Sequence, residues 1–201
     1  PEQQTPPAQE NIPKTDKPVL DLYVMSQCPY GAQAEQPTLP VVELFGDVIE
    51  FNLRFIANDN GDGTYTSLHG QPEVDGDMRQ VCIEEHFPDE YYNYLLCTAE
   101  DYRNLPTIWE GCAEQTGIDV SVVLECFNGE EGKTLLSGNV DYASQNNVGQ
   151  SPTYILNGIK VQPTRTQEGI KSIICSAFND APEICGETLD DNSKDVPTGG
   201  C

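Results

Sequence analysis

The stretch VLDLYVMSQCPYGAQAEQ, residues 19–36, changes character at Cys28. Residues 19–25 are β-rich and alternate well enough to read as a strand. Cys28 closes the apolar run, and Pro29 suits the first position of a helix. Gly31 stands three residues after Cys28, where many redox proteins carry a second cysteine. The fold depends on what flanks this strand-to-helix turn, and the function on what Cys28 does without that partner.

Downstream, Val41, Leu44 and Phe45 continue a helical pattern to a glycine stop at Gly46, with Pro37 and Pro40 expected to kink or break it. IEFNLRFIA, residues 49–57, alternates Phe51, Leu53 and Phe55 and returns as a strand. Strand, helix, strand implies parallel neighbours joined by a right-handed crossover. From Met78 to about Asn147 the spacing turns helical and predicts a run of short helices, with stops at Gly117 and Gly138. SPTYILNGIKV, residues 151–161, resumes β character, and Asn157-Gly158 between two β-rich runs signals a two-residue hairpin. An amphipathic helix follows over roughly residues 167–178, with Ile170, Ile173 and Ile174 inward and Cys175 beside them.

The ends differ from this body. Residues 1–18 are rich in proline and glutamine without apolar periodicity and read as an extended stalk or linker. Residues 186–201 have loop character and finish on Cys201. One domain is therefore expected over 19–185, with a helical insertion at about 77–148. A chain of 201 residues with 37% apolar content can fill one core. The 33 acidic and 10 basic residues give a formal charge of -23, which repels nucleic acid phosphates and anionic lipid and sets nucleic-acid binding aside.

Eight cysteines, the closest pair being Cys175 and Cys185, suit disulfides in an oxidising compartment better than a zinc site, which needs close-spaced ligand pairs. An extracytoplasmic place is expected: secreted, periplasmic or at the cell surface. The sequence shows no signal peptide and no membrane-inserting span, and reads as a mature or trimmed form.

The order strand, Cys28-Pro29 at a helix start, strand, helical insertion, Ser151-Pro152-Thr153, hairpin, helix resembles the thioredoxin fold with an inserted helical subdomain. That arrangement is found in the periplasmic disulfide oxidoreductases. The stretches VCIEEH, GCAEQTGIDVSVVLECFNGEEGKTLLSGN and SPTYILNGIKV look most like the gamma-interferon-inducible lysosomal thiol reductases. The chain is also similar to microbial secreted thioredoxin-like proteins with Cys-Pro-Tyr-Gly and a terminal cysteine. The resemblance implies an α/β fold and a thiolate-favouring Cys28 at the exposed N-terminus of a helix. It makes Pro152 a cis-proline that packs on the cysteine and offers a strand-like edge to an extended substrate. Tyr30 would tune access and Ser151 would give backbone contact. Gly31 departs from the pattern, so exchange stops at a mixed disulfide unless another thiol arrives.

Three outcomes stand open for Cys28: resolution by a solution thiol, resolution by Cys201, or a retired site that serves assembly. The other six cysteines are read as structural. Cys97 with Cys112 would bracket a helix connection, Cys82 with Cys126 would cross the insertion, and Cys175 with Cys185 would tie the last helix to the tail. Six cysteines allow fifteen pairings, so spacing alone leaves the connectivity open. This pairing leaves Cys28 and Cys201, which can join each other.

NDNGDGTYT, residues 58–66, alternates Asn58, Asn60 and Asp62 before Gly63, with a Thr64 carbonyl, in the manner of a calcium loop. Position twelve is His69 instead of a glutamate, although Glu73, Asp75 and Asp77 lie nearby, and an ordinary Asn/Gly turn is the competing reading. Ca2+ is the one cofactor considered. His69 is the histidine considered as a thiol-activating base. Trp109, Tyr91, Tyr92 and Tyr94 read as helix packing.

Two functions follow. One is an extracytoplasmic thiol-disulfide oxidoreductase using Cys28 on protein or peptide disulfides, which expects an accessible Cys28. The other is a retired thioredoxin-like scaffold whose residues 1–18 dock on a neighbouring copy to build a filament, which expects a buried Cys28 or a permanent Cys28–Cys201 bond.

Overall fold

The computed structural model describes residues 11–189 and 199–201. Four strands form the main sheet: β1 (Val19–Val24), β2 (Glu50–Phe55), β5 (Thr153–Leu156) and β6 (Ile159–Val161), in the order β2-β1-β5-β6. The first two are parallel, with Val19 opposite Glu50 and Val24 opposite Phe55. Between them runs α1 (Pro29–Phe45), the expected crossover. β5 returns antiparallel to β1, and β6 antiparallel to β5 across Asn157 and Gly158, whose φ values of 49° and 81° are those of a two-residue hairpin turn.

A small hairpin, β3 (Asn58–Asp59) with β4 (Tyr65–Thr66), leads into five consecutive helices: α2 (Gln71–His86), α3 (Pro88–Glu100), α4 (Leu105–Thr116), α5 (Val120–Asn128) and α6 (Glu130–Gln145). The last helix, α7 (Gln167–Ser176), packs on α1. Strand alternation divides the buried side chains. Leu20, Leu22 and Val24 join the main core with Leu39, Val41 and Phe45 of α1 and Ile170 and Ile174 of α7. Tyr23 and Ile155 lie in a second, smaller cluster with Met25, Cys28, Ile56, Ala143 and Val148. Cys28 thus belongs to a separate apolar patch at the end of β1.

Several local expectations are corrected. α1 runs unbroken through Pro37 and Pro40. Each proline removes one backbone donor, but Pro37, Leu39 and Val41 are buried, and Thr38 Oγ1 donates to the Ala34 carbonyl at 2.7 Å, so packing holds the helix. Gly138 does not stop a helix: it lies inside α6, and the break falls at Gly129. Its neighbour Asn139 accepts from the Phe55 N–H at 3.1 Å, tying α6 to the edge strand. Gly117 does end α4, in the left-handed conformation. Helical structure begins at Gln71, ahead of the expected Met78.

Residues 11–18 lie along their own chain. The Thr15 N–H donates to the Ala177 carbonyl at 2.9 Å and its carbonyl accepts from Asn179 at 2.9 Å, while Asn157 Nδ2 donates to the Pro13 carbonyl at 2.6 Å. This part of the stretch expected to reach a neighbouring copy is used internally. Residues 1–10 and the 190–198 portion of the tail fall outside the described residues. Among the described residues, no helix is long and apolar enough to cross a membrane.

Three disulfides brace the outer elements. Cys82–Cys126 joins α2 to α5, Cys97–Cys112 joins α3 to α4, and Cys175–Cys185 ties α7 to the segment after it. Beyond that last bridge, the buried Lys171 reaches the Glu187 carbonyl and Glu168 Oε2, the latter at 3.1 Å.

Candidate active site around Cys28

Cys28 is the N-cap of α1, in extended conformation, and its own N–H donates to the Met25 carbonyl at 2.9 Å. An accessible thiol is the expectation of the oxidoreductase reading, and a buried Cys28 or a Cys28–Cys201 bond that of the scaffold reading. The structure has Cys28 fully buried, because Sγ is bonded to Cys201 Sγ with the two Cα atoms 6.2 Å apart. Residues 199–201 come in beside Ser151 as a short added strand. The Cys201 N–H donates to the Ser151 carbonyl at 2.8 Å, and the Ser151 N–H donates back to the Cys201 carbonyl at 3.2 Å. That reciprocal exchange is the hydrogen-bonded pair of an antiparallel ladder. Arg165 Nη2 donates to the Gly199 carbonyl at 2.7 Å, fixing the same strand two residues earlier.

Ser151 is buried and connects both sides of the site. Its carbonyl oxygen lies 3.7 Å from Cys28 Sγ, its hydroxyl accepts from the Met25 N–H at 3.0 Å, and the Ser151–Pro152 peptide bond is cis. The same hydroxyl explains Gly31. A Cβ built on Gly31 would sit 2.8 Å from Ser151 Oγ and 3.1 Å from the Met25 carbonyl oxygen. The place of a second helix cysteine is therefore filled by Ser151. Tyr30, in the first turn of α1, is half-buried against the Cys28 cluster and lies along Gly199.

Beneath the turn, α2 supplies two buried carboxylates. Glu73 accepts from the Gln27 N–H at 2.9 Å, from the Ser67 hydroxyl, and from His69 through its backbone at 3.2 Å and its ring Nδ1 at 2.9 Å. Asp77 accepts from the Ser26 N–H at 3.3 Å. Burial holds the Asp77 carboxyl well above the usual carboxylate range, against the opposing pull of its Ser26 bonds. Burial alone pushes Glu35, on the inner side of α1, up to about 8. The two residues before Cys28 are thus clamped by an i,i+4 carboxylate pair on one face of α2.

Of the residues singled out from sequence, Cys28, Tyr30, Ser151, Pro152 and Cys201 come together. His69 instead pairs with Glu73. Asn58, Asn60, Asp62 and Thr64 lie in the β3–β4 hairpin, where Asn58 pairs with Thr66 along the ladder, Asp62 Oδ1 accepts from the Thr64 N–H at 3.1 Å and its hydroxyl at 2.6 Å, and Asn60 Nδ2 donates to Thr64 Oγ1 at 2.9 Å. Those bonds hold the Asp62 carboxyl below its ordinary value. This is turn chemistry. The His86, Cys126 and Glu131 group has ligand atoms within 4.8 Å of one another, but Cys126 is already in a disulfide.

Sequence reading placed Glu73 and Asp77 only as carboxylates near the 58–66 loop, missed their hold on the Cys28 turn, and missed Arg165. The Glu73 and Asp77 spacing was the available signal, whereas Arg165 acts on a main-chain carbonyl and leaves none. Beside Cys201 opens a cleft of about 920 Å³ lined in part by Met25, Ile56, Leu68, Val140 and Val148.

Solved structures share this fold. DsbA from Mycobacterium tuberculosis in its oxidised form superposes with a TM-score of 0.63 at 17% identity, over 91% of this chain and 92% of that one. The chain is a thioredoxin-like fold protein. DsbG from the same organism, a disulfide bond oxidoreductase, gives 0.62 at 16% identity over 87% and 89% of the two chains. MdbA from Actinomyces oris, a thiol-disulfide oxidoreductase, gives 0.62 at 15% over 87% and 93%. The family model for gamma interferon inducible lysosomal thiol reductase matches residues 19–116, from β1 to the end of α4 in this thioredoxin-like chain. No curated protein matches it by sequence.

Proposed function

We propose that this thioredoxin-like protein is an extracytoplasmic thiol-disulfide oxidoreductase in which Cys28 exchanges with protein or peptide disulfides and Cys201 supplies the second thiol. The observation that carries this reading is the Cys28–Cys201 bond formed on the Ser151 main chain, in the place where a substrate strand would pair. In the reduced state the Cys28 thiolate attacks one sulfur of a substrate disulfide. A mixed disulfide forms, and the substrate's other sulfur leaves as a thiolate. The Cys201 thiolate then attacks Cys28 Sγ, expels the remaining substrate sulfur as a thiolate and regenerates the Cys28–Cys201 bond, so the substrate gains the two electrons that the pair loses. A low-molecular-weight thiol or a partner dithiol returns them in two steps. A first thiolate attacks Cys201, the less buried member, forming a mixed disulfide there and releasing Cys28 as the leaving thiolate. A second thiolate attacks the sulfur of the first, frees Cys201 as a thiolate and leaves as the oxidised disulfide. The helix N-terminus favours the charge on Cys28.

Pairing of all eight cysteines supports an oxidising compartment. The chemistry of this reading runs through thiols alone and draws on no ion at residues 58–66.

The competing reading, a retired scaffold, is favoured by the complete burial of Cys28. Graded reduction with a dithiothreitol couple, followed by alkylation and mass mapping, separates the two. An oxidoreductase opens Cys28–Cys201 first, reduces a peptide disulfide, loses that activity in Cys28→Ser and accumulates a mixed disulfide in Cys201→Ser. A scaffold keeps Cys28–Cys201 closed until the other three bridges have opened.

A further inference from the structure

Residues 199–201 show how an extended peptide lies against Cys28, and each contact can be sorted by whether it reads main chain or side chain. The pair between Cys201 and Ser151 is main chain to main chain, and the Arg165 bond ends on the Gly199 carbonyl. Any extended peptide can make both. Side chains are read at the two preceding positions only by exclusion. A Cβ on Gly199 would lie 2.3 Å from Tyr30 Cε1, 2.5 Å from Cζ and 2.9 Å from Cδ1. A Cβ on Gly200 would lie 2.6 Å from Gln150 Nε2 and 2.9 Å from its Cγ.

The two exclusions differ in strength. Gln150 is an exposed, flexible side chain whose tip can swing into solvent. Tyr30 sits in the first turn of α1, half-buried on the cluster of Met25, Cys28 and Ile56, and its rigid ring meets the new carbon with three atoms at once. Moving the strand outward instead would strain the Arg165 and Ser151 bonds together.

We propose that the seat beside Cys28 selects polypeptides whose reacting cysteine has glycine two residues before it, a Gly-X-Cys sequence in extended form, and that Tyr30 is the residue that enforces this. The inference rests on the oxidoreductase reading and deepens it: the same strand contacts that hold residues 199–201 hold the substrate after they leave. Tyr30 is a specificity-determining residue, and Arg165 with Ser151 sets the register.

The test uses the full chain with Cys201→Ser, so that Cys28 carries a free thiol. Acetylated peptide amides ending Gly-Ala-Cys, Ala-Gly-Cys and Ala-Ala-Cys are each activated as the pyridyl mixed disulfide. Attack by the Cys28 thiolate on the peptide sulfur forms the Cys28–peptide disulfide, breaks the peptide–pyridyl bond and releases thiopyridone, whose absorbance gives the rate. Glycine two residues before the cysteine should react about tenfold faster than alanine there, the range expected for one overpacked methyl group. Glycine moved to the adjacent position should restore little of that rate. Tyr30→Ala should bring the three peptides within about threefold of one another. Dithiodipyridine, which has no peptide to read, serves as the reference. Equal rates for all three peptides with Cys28 still reacting with dithiodipyridine overturn the selection and leave the oxidoreductase reading standing. Failure of Cys28 to react with dithiodipyridine overturns both.

Discussion

Gly31→Ala tests whether the missing second cysteine is an empty place or a filled one. The added Cβ would stand 2.8 Å from Ser151 Oγ, 3.1 Å from the Met25 carbonyl oxygen and 3.4 Å from Val24 Cβ. Two of these three neighbours cannot yield, because one is backbone and the other a buried β-branched carbon. The Ser151 hydroxyl must move, and it is the acceptor of the buried Met25 N–H at 3.0 Å. An orphaned buried donor costs about 1–3 kcal/mol, and the residual overpacking about as much again. Against this, alanine gains up to about 1 kcal/mol over glycine within a helix. The net expectation is a loss of about 3 kcal/mol, seen in a chain of this size as a fall in Tm of about 6–12 °C. Urea titration without reductant measures it directly. In a Ser151→Ala background the worst contact and the bond it would break are both already gone, so the same substitution should cost about 1 kcal/mol or less. A neutral or stabilising Gly31→Ala, or an equal cost in both backgrounds, would refute the argument that Ser151 fills this position. Gly31→Cys carries the same penalty, so it should not convert the turn cheaply into a two-cysteine motif.

Cys201→Ser opens a loop whose ends are 173 positions apart, worth close to 5 kcal/mol in the chain-entropy limit. Calorimetry should show Tm lowered by about 10–20 °C, and iodoacetamide should label Cys28, which it should leave untouched in the oxidised parent protein. Glu35, pushed up to about 8 by burial from an ordinary 4.5, keeps its proton in the folded chain while the unfolded chain has lost it. Stability therefore falls as pH rises from about 4.5 to about 8 and levels off above that, with a slope of about 1.4 kcal/mol per unit from this group. Glu35→Gln should remove that part of the slope in urea midpoints measured across pH 4.5–9, leaving the part that comes from Asp77, which is shifted the same way.

The elements that were legible in the sequence are those whose period and punctuation agree with their surroundings. Val19–Val24 alternates because its two faces meet different clusters, and Asn157-Gly158 turns because few other pairs adopt its φ values. Where local chemistry and tertiary packing disagree, packing prevails. Pro37 and Pro40 read as breakers, yet α1 is clamped among the sheet, α3 and α7 and continues through both. The first two turns of α2 lie ahead of Met78, where helical spacing becomes legible, and their Glu73 and Asp77 read only as carboxylates near the 58–66 loop. They are instead buried, holding the Ser26–Gln27 turn, a use that no periodicity of apolar residues can announce. At the site, Cys28, Tyr30, Ser151 and Pro152 stand out by residue type and order. The seat for residues 199–201 depends on main-chain atoms and on a ring edge, and these appear only once the chain is folded.

The split of the reactive pair between positions 28 and 201 has a consequence during synthesis. Of the eight cysteines in residues 1–201, the ribosome delivers Cys28 first and Cys201 last. Cys82, Cys97, Cys112 and Cys126 have their partners within 44 positions or fewer, so those bridges can close while the chain is still growing. Cys28 spends that whole interval unpaired at the mouth of a nascent helix. Among residues 1–200, Cys28 is the one cysteine left over once the other three bridges are made. Closure of the site therefore waits until position 201 has been made.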